Sequence, residues 1–300
     1  MRDWLQHPRY VGAREALVKR LRAKSYRFRR LQQIAFLCGA ANSARRDDLR
    51  SYLAKFRPDL LIFYAEPIWE QIAKLKQLSA LEMEAFLAEL ADIVVVIVES
   101  PGTFAELGAF SLSTELRRKV LPILDKRFET SPSFINSGPV AWVNQDSIFS
   151  PSIHVDLAMI LEAAGEIDSR LNNIPPPQPT TVEDLARSPK HLLFFVCDLL
   201  QVIGPASLAA VQHYLAGIVG SPATYDVPSI IGVAEAMQLV ESATIDGLTV
   251  YLRRRNRAQA TPYHHPRFID LPSERAKHLS ILEAIESSRI ILQDLRQHVA

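Results

Sequence analysis

Residues 91–111 read ADIVVVIVESPGTFAELGAFS. A run of apolar, mostly β-branched residues enters a Glu-Ser-Pro-Gly-Thr turn and leaves as a helix-compatible segment. An apolar run without alternation describes a strand buried on both faces, as in a parallel sheet covered by helices. A helix opening beyond Gly102 presents free N–H groups that favour an anion. Glu106 falls in what reads as its first turn. By spacing alone Thr103 and Glu106 match the S/T-x-x-E capping box, which favours a cap over a chemical role for Glu106.

Working outward, further apolar runs lie at 32–39, 59–66, 119–125 and 138–144, with 92–100 the strongest. Helix-compatible stretches at 43–56, 67–76, 79–90 and 103–117 alternate with them, and 151–171 reads as a closing helix. The pattern predicts an α/β fold, a five-stranded parallel, flavodoxin-like sheet with helices on both faces. Pro122 points to an irregular or edge position for the fourth strand. In the common order 2-1-3-4-5, the first and third strands are neighbours, and ligands bind beyond their carboxyl ends. Cys38 and Gly39 then face Ser100, Gly102 and Thr103. Tyr64, Glu66, Glu99 and Asn136 also fall at predicted strand ends. Tyr64 reads equally as a base-stacking ring or a half-buried strand-end residue. Asn136 reads as a sugar-hydroxyl partner or an Asx turn. Glu66 and Glu99 read as ligand-positioning or merely surface carboxylates.

The stretch NNIPPPQPTT at 172–181 breaks the pattern, because proline lacks a donor and fixes its own φ. It marks a linker at 172–184 between a first domain at 31–171 and a second at 185–300. The second region predicts helices over 191–204, 205–217 and 228–243. A hairpin at 244–255 follows around Asp246-Gly247, and a tail helix covers 273–298. Three helices followed by a hairpin is the winged helix-turn-helix plan.

Net charge is +1, which neither favours nor excludes nucleic acid, but its distribution is uneven. Residues 1–30 hold ten Lys or Arg against Asp3 and Glu15, and RRRNR occupies 253–257. Arg27, Arg29, Arg30, Arg253, Arg254, Arg255 and Arg257 are therefore candidate phosphate contacts, or solvated helix and wing faces. Cys38 and Cys197 offer no disulfide framework, and no His pair has zinc spacing, so no metal is expected. Dinucleotide-fold, P-loop and nucleophile-elbow motifs are absent. With no signal-peptide or membrane-spanning run, the expectation is a cytoplasmic protein that engages no membrane.

FLCGAA, IFYAE, ADIVVVIVESPGTFAELGAFS, LRRKVLPILDKRF and SFINSGPV follow in an order that resembles the effector proteins of one bacterial retron type. Those join a nucleoside deoxyribosyltransferase-like domain to a winged-helix domain. The resemblance covers most of 30–145 by motif, and the second domain by architecture only. It implies that Glu106 is the nucleophile at the anomeric carbon of an N-glycoside, and that the substrate is NAD, cleaved to release nicotinamide during phage infection. No cofactor is implied, NAD being the substrate. Implied partners are a retron reverse transcriptase, its multicopy single-stranded DNA–RNA product and further copies in an oligomer or larger assembly. The deoxyribosyltransferase superfamily usually carries an Asp after the third strand, where this chain has Glu99-Ser100. Two other functions compete: a nucleoside or nucleotide deoxyribosyltransferase or hydrolase, and a non-catalytic winged-helix regulator. PSIIGVAEAMQLVESA lacks the Arg, Lys and Asn that usually read base edges, which weighs against the regulator.

Overall fold

The computed structural model describes residues 7–22, 32–73, 79–176, 185, 188–220, 226–245, 247–254 and 271–285. The chain divides into two compact units: residues 31–69 with 78–177, and residues 1–30 with 70–77 and 178–300. The first helix, α1 (Pro8–Leu21), is counted with the second unit.

The first unit runs β1 (Gln33–Cys38), α2 (Ala44–Phe56), β2 (Leu60–Phe63), α3 (Ala65–Ala73), α4 (Ala80–Leu90), β3 (Ile93–Ile97), α5 (Pro101–Leu112), α6 (Thr114–Arg117), β4 (Val120–Asp125), α7 (Ala141–Asp146), β5 (Ile153–Val155) and α8 (Ala164–Leu171). The last turn of α3 is counted with the second unit. The five strands are parallel in the order β2-β1-β3-β4-β5, the predicted switch-point arrangement. β1 and β3 are buried almost throughout, as their unbroken apolar runs require. One core face gathers Ala35, Leu37, Val95 and Ile97 against Leu49 and Leu53 of α2 and Ile167 of α8.

Two predicted elements differ. The run 138–144 is not a strand: Asn136–Val140 form a π-helical turn that continues into α7. Pro139 has no N–H to give a ladder, and the wider turn tolerates its ring. The fifth strand is instead the short β5, inside the segment expected to be a closing helix. Pro122 also lies in an inner strand, in register with Val96. Val94 and Val98 of the β3 segment donate to the Lys119 and Ile123 carbonyls, so Pro122 faces the other side of β4. There β5 pairs only from Ile123 onward, so no ladder bond is missing.

The second unit contains α9 (Pro189–Ile203), β6 (Ala206–Ser207), α10 (Leu208–Val219), α11 (Val227–Ala236), β7 (Val240–Ile245), β8 (Leu248–Arg253) and α12 (Leu271–Glu283). Its sheet is antiparallel, in the order β6-β8-β7. The helix predicted from 205 begins at Leu208, because Ser207 caps it and accepts from Ala210 N–H. The helix predicted to 243 stops at Ala236, where Gln238 adopts φ +57 and the chain turns into β7. Gly247 takes φ +77 in the hairpin turn, a left-handed conformation that glycine adopts without a Cβ clash. α1 packs on α10 and α12, with Val18 against Gly217.

Candidate active site

The site lies at the carboxyl ends of β1, β2 and β3. Ser100, not Thr103, is the N-cap of α5, with Pro101 in the first turn. Thr103 Oγ1 accepts from the N–H groups of Glu99 (3.0 Å) and Ser100 (2.9 Å) and donates to the Ser100 carbonyl. The capping box is therefore Ser100 with Thr103, and Glu106 takes no part in it. Ser100 and Thr103 hold the turn. Gly102 is exposed, and a Cβ there would lie 3.8 Å from Ser100 Oγ, an ordinary contact.

Glu99 is also held inside the fold. Its Oε1 accepts from Ala40 N–H at 3.0 Å and its Oε2 pairs with Arg45 Nη1 at 2.7 Å. Arg45 in turn donates to the Leu157 carbonyl. Burial alone would raise the Glu99 carboxyl, but the donors from Ser43, Arg45 and Ala40 outweigh it and hold it below the usual carboxylate range.

Glu106 has one oxygen without such support. Its Oε2 is buried and without a hydrogen-bond partner. Burial, then the charge of Glu66, raises its pKa; Arg46 and a hydrogen bond from the Cys38 thiol act the other way. Cys38 remains a thiol, pushed well up by burial and by Glu106 and Glu84. Across from Glu106 lies Glu84 of α4, whose Oε2 is likewise buried and unpartnered. Burial, then the charges of Glu106 and Glu66, push Glu84 up to about 8, so it is protonated at neutral pH.

Arg46 joins these groups. Its Nη1 meets Glu66 Oε1 at 2.7 Å, and its guanidinium lies 4.2 Å from the Tyr64 ring centroid. Its Nε is buried and unpartnered. A Cβ on Gly39 would come within 2.9 Å of Arg46 Cδ, so glycine is what lets this side chain pass. The Tyr64 ring also carries Arg50, at 4.9 Å, and its hydroxyl donates to Asp47 Oδ1 at 2.9 Å. Tyr64 thus supports Arg46. Asn136 lies apart from this cluster, its amide donating to the Phe128 and Ser131 carbonyls.

Of the residues that the sequence points to, the crevice brings together Cys38, Gly39, Glu66 and Glu106, and it adds Arg46 and Glu84. A signal for both additions exists in the sequence. Arg46 is in helical phase with buried Leu49 and Leu53, and Glu84 with buried Leu87, Ala88 and Ala91. A charge inside the apolar stripe of a helix is either paired or functional. Among the described residues, no group of three or more His, Cys, Asp or Glu could hold a metal ion.

A profile of the STM3845 retron effector protein family matches residues 42–242, which include every acidic member of the cluster. The chain belongs to this retron effector family. Two Escherichia coli relatives agree. This effector is 44% identical over 119 residues to the "Retron Ec86 putative ribosyltransferase/DNA-binding protein", a match covering 38% of each chain. It is 28% identical over 219 residues to the Ec73 protein of the same description, covering 65% of this chain and 69% of that one. The effector thus matches little more than a third of the length of its Ec86 relative.

Of the candidate nucleic-acid residues, Arg254 is exposed and Arg253 half-buried on β8. Arg27, Arg29, Arg30, Arg255 and Arg257 lie outside the described residues. On α1, Arg9, Lys19 and Arg20 are exposed. Most of α11 is buried, and its Gly232 packs on Ile72, where a Cβ would meet Ile72 Cγ1 at 3.0 Å. No described helix is long and apolar enough to cross a membrane.

Proposed function

We propose that this retron effector cleaves the N-glycosidic bond of NAD, with Glu106 acting at the anomeric carbon. The observation that carries the reading is the buried, unpartnered Glu106 oxygen, facing Glu84 and Arg46 at the switch point of the sheet. Bond breaking develops an oxocarbenium-like charge on the ribose, and a carboxylate there stabilises or captures it. The bonding pair passes to the pyridinium nitrogen, so nicotinamide leaves neutral without a proton. Water supplies the oxygen to the anomeric carbon and loses its proton, giving ADP-ribose. Ionisation of Glu106 is favoured by Arg46 and the Cys38 thiol. Glu84, protonated, serves as a hydrogen-bond donor to the departing base or its carboxamide.

The neutral Glu84 also favours a second reading, cleavage of nucleosides or nucleotides whose base must be protonated as it leaves. A substrate panel separates the two. Nicotinamide release from NAD, with deoxynucleosides and nucleotides intact, supports the first; base release from those alone overturns it.

The helix-strand-helix-helix-hairpin order of the second unit reads as a winged-helix module, an adaptor for a retron reverse transcriptase and its single-stranded DNA. The names of the two relatives pair ribosyl transfer with DNA binding. With α11 largely buried, contact falls to the phosphate backbone through basic residues such as Arg254, without base readout. Binding that weakens steeply with salt and ignores sequence supports this; a sequence-specific duplex footprint overturns it.

A further inference from the structure

The Glu66 carboxylate belongs to the crevice but not to the attack, and its setting speaks to the sugar. Its Oε1 is tied to Arg46 Nη1 at 2.7 Å. Arg46 is itself immobilised by the Tyr64 ring and by the space left at Gly39. Glu66 is 46% exposed at the side chain while Arg46 is 8% exposed, so a preset carboxylate looks out of a buried cation. At that exposure the carboxylate keeps acceptor capacity for a ligand. Its charge acts on both Glu106 and Glu84, so it belongs to the same electrostatic cluster.

A carboxylate offers acceptors only. The carbon bonded to the anomeric centre is C2′, and a hydrogen-bond donor there exists in a riboside and is missing in a 2′-deoxyriboside. Glu99, the other carboxylate at this end of the sheet, has both oxygens engaged by protein donors. We infer that Glu66 accepts the 2′-hydroxyl and makes this a riboside-selective site. The inference rests on the proposed reaction at Glu106. Bonds to this hydroxyl strengthen as the oxocarbenium-like state forms. A site built to bond a hydroxyl also discriminates against the analogue lacking it, because its acceptor is left unpaired. The 2′-deoxy sugar forms its cation more readily in water, so a preference for the riboside must come from the protein.

The test uses the purified full chain with NAD and with its counterpart lacking the 2′-hydroxyl on the nicotinamide ribose, following nicotinamide by chromatography. The wild type is expected to favour NAD in kcat/KM, and Glu66→Gln, which keeps side-chain size, is expected to lower that ratio at least about tenfold. Melting temperatures of both proteins show that the variant is folded, and Glu66→Asp, which restores the charge, is expected to recover part of the ratio. An unchanged ratio in Glu66→Gln overturns the assignment of Glu66. Full activity on both substrates in Glu106→Gln overturns the reaction on which it rests, whatever the ratio.

Discussion

Glu99 and Glu106 flank one turn, between β3 and the second turn of α5, and occupy opposite surroundings. Both oxygens of Glu99 are engaged, by Ala40 N–H and Arg45, and its carboxyl is held low. Glu106 keeps a buried oxygen with no partner, and its carboxyl is raised. The difference separates their proposed roles: a satisfied buried carboxylate braces the fold, whereas an unsatisfied one is the candidate to meet a ligand. In a stretch that reads almost symmetrically, hydrogen-bond accounting separates the two.

The sharpest way to break this contrast is Glu106→Gln. Turnover is expected to fall at least about a thousandfold, roughly 4 kcal/mol of barrier, with no loss of melting temperature, since the change removes a carboxyl whose ionisation burial opposes. Steady-state kinetics beside calorimetry measures both.

Glu99→Ala is expected to show the reverse. Losing the acceptor for Ala40 N–H and Arg45 should cost about 2–3 kcal/mol in urea unfolding, kept modest because Arg45 is half exposed and rehydrates. Turnover per folded molecule should stay within about tenfold. A stable but inactive Glu99→Ala would erase the distinction.

Glu84 sharpens it through pH. With its acid form donating as proposed, activity should decline as pH rises through about 8, and Glu84→Gln should remove that limb. Its effect on stability has a definite sign. Between its ordinary value near 4.5 and about 8, the folded protein holds the proton that the unfolded chain has lost. The stabilisation is therefore complete below the lower value and gone above the higher, and Glu84→Gln should flatten this slope of melting temperature against pH.

The smallest expected effect is that of Tyr64→Phe. It removes the hydroxyl that donates to Asp47, about 1 kcal/mol, while leaving the ring under Arg46. Activity within about threefold of wild type is expected, because the ring face supports the guanidinium. A much larger loss would mean that the hydroxyl itself serves the ligand.

β1 to β4 follow from apolar runs, because strands buried on both faces show no alternation, while their order matches the one common to such sheets. β5 does not, since a three-residue strand has no periodicity to detect. The apolar run at 138–144 misleads because composition there does not reveal the turn that Gly138 and Pro139 enter. Gln238 ends α11 with a left-handed conformation that no sequence rule assigns to glutamine. Within the candidate site, the sequence points to Glu106, though its reading as a cap gives way once Ser100 proves to be the N-cap. Arg46 and Glu84 escape notice because charges on helices are read as solvent-facing, although their phase with buried leucines places them inside.

The central claim, that Glu106 breaks the glycosidic bond of NAD, is tested most directly by counting nicotinamide released by equal amounts of folded wild-type and Glu106→Gln protein. The account predicts steady release from the wild type and none above the protein-free blank from the variant. Equal release from the two would contradict it.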